Sequence, residues 1–154
     1  MFIIGIDPHK GSHTAAVIDH DEQLVGEVTV HADRRQRSLL LSWAASFEPR
    51  LWAIEGATGH GALLAQQLVA AGENVVDVPA TLSARARLLD SGRKDKTDPH
   101  DARSAAIVAL RHRNLRVVAS RITVRSCDCW HAVITSSSRR GLVRSVGCMP
   151  CSRK

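Results

Sequence analysis

The sequence predicts an α/β protein built on a mixed sheet, and three observations carry that prediction. Three strand-like segments follow one another at the N-terminus with only turn residues between them, the pattern of an antiparallel meander. Two more strand-like runs, 51–55 and 74–78, are separated by helical patterning, which is how parallel strands are joined. The 154 residues of the chain are enough for one compact domain with a real core.

Residues 2–6 form a short apolar run that leads into Gly5-Ile6-Asp7 and reads as a buried strand. Residues 14–19 are a second strand, 19–22 are polar turn material, and 24–30 alternate as a third. Ala32 and Asp33 open a helix with an acid near its N-terminus. Leu39, Leu40, Trp43, Ala44 and Phe47 follow at helical spacing, and Pro49 lies past its end. Residues 51–55 are a fourth strand ending on Glu55. The glycine-rich stretch 56–61 is a loop, and 62–71 a helix with Gly72 as its C-terminal stop. Residues 74–78 are a fifth strand closed by Pro79, 80–89 another helix, and 90–96 a basic polar loop. The last helix covers 98–112. Pro99 suits its first turn, and Ala102, Ala105, Ala106, Ala109 and Leu110 form its packing face. The order β-β-β-α-β-α-β-α-α is typical of the ribonuclease-H-like fold, here a mixed five-stranded sheet with flanking helices. After Val118 the periodicity stops. Residues 1–118 are therefore predicted as the domain and 119–154 as an irregular basic tail rich in Cys, Ser and Arg, whose abrupt composition suggests a coding frame read out of register.

Charge and cysteine divide at the same point. Residues 1–118 hold 14 Lys/Arg and 14 Asp/Glu, whereas 119–154 hold 7 against 1, so the tail carries the whole net charge of +6. The basic balance therefore cannot by itself argue that the domain binds nucleic acid. All four cysteines (Cys127, Cys129, Cys148, Cys151) lie in the tail. The first pair is too tightly spaced for a zinc knuckle, so free thiols are expected. No apolar run reaches the roughly 18 residues of a membrane span, and the start lacks the basic segment of a signal peptide. No membrane partner and a cytoplasmic location are expected.

The chemistry-bearing residues are acidic. Asp98 and Asp101 stand three apart where a helix begins, a spacing that puts both on one face. Asp7 ends the first strand and Glu55 the fourth, and these strands can be neighbours in a mixed sheet. Four carboxylates converging at one sheet edge repel each other unless a cation sits among them, and hard oxygen ligands suit Mg²⁺ or Mn²⁺. Two such ions roughly 4 Å apart serve phosphodiester chemistry. Asp98 alone, before Pro99, is equally an ordinary N-cap. The set is more informative than its members, because two of the acids follow apolar strands.

Gly5-Ile6-Asp7 with His9 and Lys10, Ile54-Glu55 with Ala57, Thr58 and Gly59, and Lys96-Thr97-Asp98 with Asp101-Ala102-Arg103 together resemble the DEDD transposases of bacterial insertion sequences. This is insertion-sequence family 110, which includes the Piv-type DNA invertases and whose domain is similar to the RuvC Holliday-junction resolvases. The resemblance covers roughly residues 3–118. It implies that the four acidic metal ligands, which are also the catalytic residues, fall on Asp7, Glu55, Asp98 and Asp101, holding two Mg²⁺ or Mn²⁺ ions. It implies Mg²⁺-dependent cleavage and joining of DNA strands in transposition. DNA and a non-coding guide RNA that bridges target and donor are the implied partners, and full-length members are expected to act as homo-oligomers in the bacterial cytoplasm. Lys96 and Arg103 match the motif's basic positions, as phosphate contacts or as surface residues. Family members continue into a coiled segment and a second domain with a nucleophilic serine. Nothing after residue 118 matches these, and Ser136, Ser137 and Ser138 do not sit in the matching motif, so an incomplete fragment is expected.

The alternative is a catalytically silent remnant that still docks nucleic acid or a partner transposase. A sugar-kinase or ATPase half of the actin type also opens on a strand ending Gly-x-Asp, but paired phosphate loops are absent. The stretch 56–61 lacks the Gly-Lys-Ser/Thr ending of a P-loop and is expected to turn the chain so that Glu55 sits at the sheet edge. His9, His13, His60 and His100 are expected at the surface or behind the acids rather than on zinc. The basic clusters Arg34/Arg35/Arg37, Arg85/Arg87 and Arg93/Lys94/Lys96 could meet phosphates or simply face solvent. The scarcity of aromatics argues against stacking on single-stranded bases.

Overall fold

A computed structural model describes residues 1–91 and 98–120, with side chains described outside 90–99. One compact unit spans 1–122; a second, 123–154, lies outside the described residues, as do the cysteines, the Ser136–138 run and the Arg93/Lys94/Lys96 cluster.

The strands are β1 (Phe2–Pro8), β2 (Ser12–Ile18), β3 (Leu24–His31), β4 (Arg50–Glu55), β5 (Val75–Val78) and β6 (Arg116–Val117). The helices are α1 (Gln36–Trp43), α2 (Ala62–Ala70), α3 (Ala80–Ser91) and α4 (Asp98–Arg111), and a 3-10 turn, Ala44–Ser46, extends α1. The sheet order is β3-β2-β1-β4-β5-β6. The first three strands are the antiparallel meander, β4 lies parallel to β1 and β5 parallel to β4. The sheet has six strands rather than five, because β6 adds antiparallel to β5 through Val76–Val117 and Asp77–Arg116. Among the described residues no helix is long and apolar enough to cross a membrane.

β1 and β2 are buried on both faces, which is why they read as continuous apolar runs, while edge strand β3 alternates. One face of the sheet, with Ile4, Ile6, Val17, Trp52 and Ile54, packs under Leu40 of α1 and Leu64, Ala65 and Leu68 of α2. The opposite face, with Ile3, Ile18, Ala53, Val76 and Val78, meets Ala105, Ala106 and Ala109 of α4 and, more peripherally, Leu82 and Ala86 of α3. α2 closes as a Schellman motif: Gly72 at φ +87° follows the cap, Gly72 N–H bonds to Val69 O at 3.0 Å, and Glu73 N–H to Leu68 O at 3.1 Å.

The position of α4 rests on one glycine. A β-carbon on Gly5 would lie 1.9 Å from Ala102 O and 2.7 Å from Ala106 N. Helix backbone therefore rests directly on the central strand, an approach open only to a residue without a side chain.

Candidate active site

The sheet register brings two of the predicted acids together. The parallel pairing of β1 with β4 ends at Ile6–Ile54, and Asp7 and Glu55 follow one step on. Neighbouring strands lie about 4.8 Å apart, so the two carboxylates leave adjacent strand ends. They share the sheet face of Ile3, Gly5 and Ala53, the face that α4 covers. The turn at 56–61 lets β4 stop there: Gly56 takes φ +59°, its N–H bonds to Val78 O at 3.0 Å, and Ala57 N–H bonds to the Asp77 carboxylate at 2.7 Å.

Asp101, next to the Ala102 that rests on Gly5, is the third acid. It is 3% exposed and Asp7 is 8% exposed. The three carboxylates interact: the Glu55 carboxyl is held above its ordinary range, first by burial and then by the negative charges of Asp7 and Asp101, with Ser83 and Arg87 pulling the other way. Asp98 opens α4, and its side chain lies outside the described residues.

Two residues of α3 complete the surroundings, and sequence reasoning missed both roles. Arg87, grouped above with Arg85 as a phosphate contact or solvent-facing residue, turns inward instead and forms an ion pair with Asp101. Ser83, one turn earlier, is fully buried, and its Oγ makes no hydrogen bond. It lies near enough to Glu55 to draw the carboxyl back down without completing that bond. Glu55 Oε2 is likewise buried and unbonded. The signal for both was the helical period, since Ser83 and Arg87 fall on the same stripe as the packing residues Leu82 and Ala86.

The histidines separate. His9 stands beside Asp7, with Nδ1 3.7 Å from Oδ2. His13 departs from the expectation of a surface or supporting residue: it is buried on the α1 side, where its ring bonds to Gln36 at 2.9 Å, and Gln36 in turn to Gln67 at 2.8 Å. Burial lowers its pKa and so favours the neutral ring. His60 and His100 are exposed. Pro8, His9, Lys10, Gly11 and His60 line an open cavity of about 480 Å³ at the end of β1, next to Asp7. Arg103 donates to the Glu22 carbonyl at 3.3 Å, so at least part of its role is to hold the β2–β3 turn, while Lys96 is outside the described residues.

The donor chemistry fits a hard divalent cation, since three carboxylates and a hydroxyl supply only oxygen and two of those oxygens are unbonded. Among the described residues, however, no three His, Cys, Asp or Glu side chains are gathered closely enough to hold one ion as placed. Asp101 is instead paired with Arg87 of α3.

A mixed sheet in this strand order with acids at adjacent strand ends defines a ribonuclease-H-like protein. Two solved structures share the fold. RuvC of Thermus thermophilus in complex with a Holliday junction substrate superposes with TM-score 0.58 at 17% identity, over 77% of this chain and 99% of that one. A second Thermus thermophilus RuvC structure gives 0.56 at 16%, over 77% and 100%. The chain belongs to the DEDD transposases of insertion-sequence family 110, whose family model, described as a transposase, matches residues 4–125. It is 35% identical over 111 residues to the insertion element IS116 uncharacterized 44.8 kDa protein of Streptomyces clavuligerus, a match that covers 72% of this chain and 28% of that protein. The match thus spans less than a third of that relative's length.

Proposed function

We propose that the chain carries the catalytic domain of an insertion-element transposase, cutting and joining DNA strands with Mg²⁺ or Mn²⁺ held by Asp7, Glu55, Asp98 and Asp101. The observation that carries this reading is the departure of Asp7 and Glu55 from adjacent parallel strand ends, under the helix that bears Asp101. The Glu55 carboxyl, raised first by burial and then by the charges of Asp7 and Asp101, supports it, because a cation among these groups would offset both effects. Ions held by these carboxylates would supply positive charge to stabilise the oxygens of a phosphodiester under attack.

The chain's own residues supply the frame. The β1–β4 pairing fixes two acids in register, and Gly5 lets α4 bring in the third. Lys10, on the cavity beside Asp7, offers a positive charge to an approaching phosphate. The Holliday junction held by the RuvC relative supports DNA as the partner. A guide RNA, homo-oligomerisation, action in the bacterial cytoplasm and a domain boundary near residue 118 belong to the same proposal.

Mn²⁺ calorimetry on wild type and Asp7→Ala tests the reading. Wild type is expected to bind and the variant to lose binding. No heat from wild type, or binding untouched by the substitution, refutes it. One observation favours a second reading, a catalytically silent remnant that docks nucleic acid or a partner: Asp101 is already held in an ion pair with Arg87. On that reading the chain retains nucleic-acid affinity while Mn²⁺ binding is absent.

A further inference from the structure

We infer that Arg87 is the resident counter-cation of the acid cluster, and that an incoming divalent ion binds by displacing its guanidinium from Asp101. The inference rests on the metal-binding reading above and adds to it a residue of this chain and a competition.

Two observations and one chemical fact lead to it. Arg87 and Asp101 form their ion pair with side chains only 18% and 4% exposed, so the pair is largely shielded from water. A guanidinium does not shed its proton at any physiological pH, so its charge can leave the site only if the side chain moves. Ser83, on the same face of α3 one turn earlier, is fully buried beside Glu55 with its hydroxyl unbonded, as is Glu55 Oε2. Oxygen donors next to the ion pair are therefore available and unused.

The placement of the acids agrees. Asp7, Glu55 and Asp101 interact strongly enough to perturb Glu55, yet among the described residues they are not gathered around one point. Asp101 is engaged with α3, whereas Asp7 and Glu55 sit on the sheet. Bringing Asp101 onto an ion shared with Asp7 and Glu55 requires its carboxylate to move, and the bond to Arg87 on the neighbouring helix resists that movement. Opening the ion pair of a buried carboxylate is unfavourable, so the guanidinium stabilises the metal-free site and also opposes loading. Metal affinity and metal-free stability are thus set against each other through one side chain.

The test uses the full chain with Mn²⁺ alone as the probe. Arg87→Met keeps the length of the stem and removes the charge. It is expected to lower thermal stability without metal and to bind Mn²⁺ about tenfold or more tightly than wild type, within the usual range of coupling between two binding events. Adding Mn²⁺ should then restore the variant's melting temperature to that of metal-loaded wild type. If folded Arg87→Met binds Mn²⁺ no more tightly than wild type, displacement is wrong. If Arg87→Met does not fold, Arg87→Lys carries the test: its compact ammonium should hold Asp101 less well and tighten Mn²⁺ binding by a smaller factor, and unchanged or weaker affinity overturns the inference. The two levels of failure are distinguishable. Wild type that binds no Mn²⁺ sinks the metal reading and this inference with it. Wild type that binds, is lost in Asp7→Ala and is unaltered by loss of Arg87 sinks this inference alone.

Discussion

Replacing Gly5 with alanine should lift α4 from the sheet and take the third acid with it. The added β-carbon would sit 1.9 Å from Ala102 O, 2.7 Å from Ala106 N and 3.0 Å from Ala102 C. All three are helix backbone, so no side-chain rotation relieves the overlap. Ordinary contact begins near 3.4 Å, and the helix must therefore retreat by roughly an ångström and a half along that line. Even a gap of 0.5–1 Å forfeits about a quarter to a half of the dispersion energy across it, and α4 covers Ile3, Ala53 and Val76 with Ala105, Ala106 and Ala109. Overpacking of this kind costs about 1–3 kcal/mol, and backbone against backbone belongs at the upper end. The stiffer unfolded chain returns only about 0.4–1 kcal/mol. The net loss is about 2 kcal/mol or more, a melting temperature lower by several degrees, roughly 6–12 °C, for a domain of this size. Urea unfolding followed by tryptophan fluorescence measures it, and Mn²⁺ calorimetry on the surviving folded fraction should show weaker binding because Asp101 retreats with the helix. A variant within about 0.5 kcal/mol of wild type would refute the claim that α4 is seated on Gly5.

Gly61→Ala provides the contrast. Its β-carbon would meet Ile54 Cγ2 at 2.6 Å and Pro8 Cγ at 3.1 Å, both side-chain atoms, while the nearest backbone atom, Glu55 O, lies at 3.4 Å, so the loss should be about 1–2 kcal/mol and smaller than at Gly5, where helix backbone is overlapped; an equal or larger loss in urea unfolding counts against the distinction. Glu73→Gln should destabilise at neutral pH by about 2 kcal/mol. Glu73 accepts from Arg50 Nε at 2.9 Å, Arg50 Nη2 at 2.6 Å and Trp52 Nε1 at 2.7 Å, tying β4 to the turn after α2. Arg50 chiefly, with Trp52, holds the Glu73 carboxyl below its ordinary value. Its contribution is therefore complete above the ordinary carboxylate range and lost as pH falls through the lowered value. The gap between wild type and variant should narrow on acidification, and a gap independent of pH would contradict the assignment.

Much of the fold was legible because its central elements obey a single rule each. β1 and β2 are buried on both faces and read as unbroken apolar runs, and α4 announces itself through alanines at helical spacing. β6 had no such signal. Arg116 and Val117 are exposed, and what continues the sheet edge there is Val118 N–H reaching Val75 O at 2.9 Å, a contact between residues 43 positions apart. The start of α1 was misplaced for a local reason: the Asp33 carboxylate accepts from Arg35 N–H at 2.7 Å, a side-chain turn that holds the chain out of the helix until Gln36. Asp7 and Glu55 were legible as strand-end acids, but the sequence does not state that β1 and β4 are neighbours in register. Arg87 was read as an outward charge because a buried arginine is intelligible only once Asp101 is placed beside it.

The alanine face of α4 and the acid cluster are therefore parts of one arrangement. An alanine-rich stripe adds little hydrophobic energy per residue compared with leucine, so stability alone would favour larger side chains on that face. Larger side chains, or any side chain at position 5, would hold the helix farther from β1. Asp101 adjoins the residue that makes the closest contact, so its distance from Asp7 and Glu55 is set by the very packing that alanine and glycine permit. Close approach then forces carboxylates together in a poorly solvated place, and the raised pKa of Glu55 records the resulting strain. Arg87 offsets part of it from the neighbouring helix. The sacrifice of apolar bulk at the centre of the domain has a structural explanation in the acid cluster it brings together.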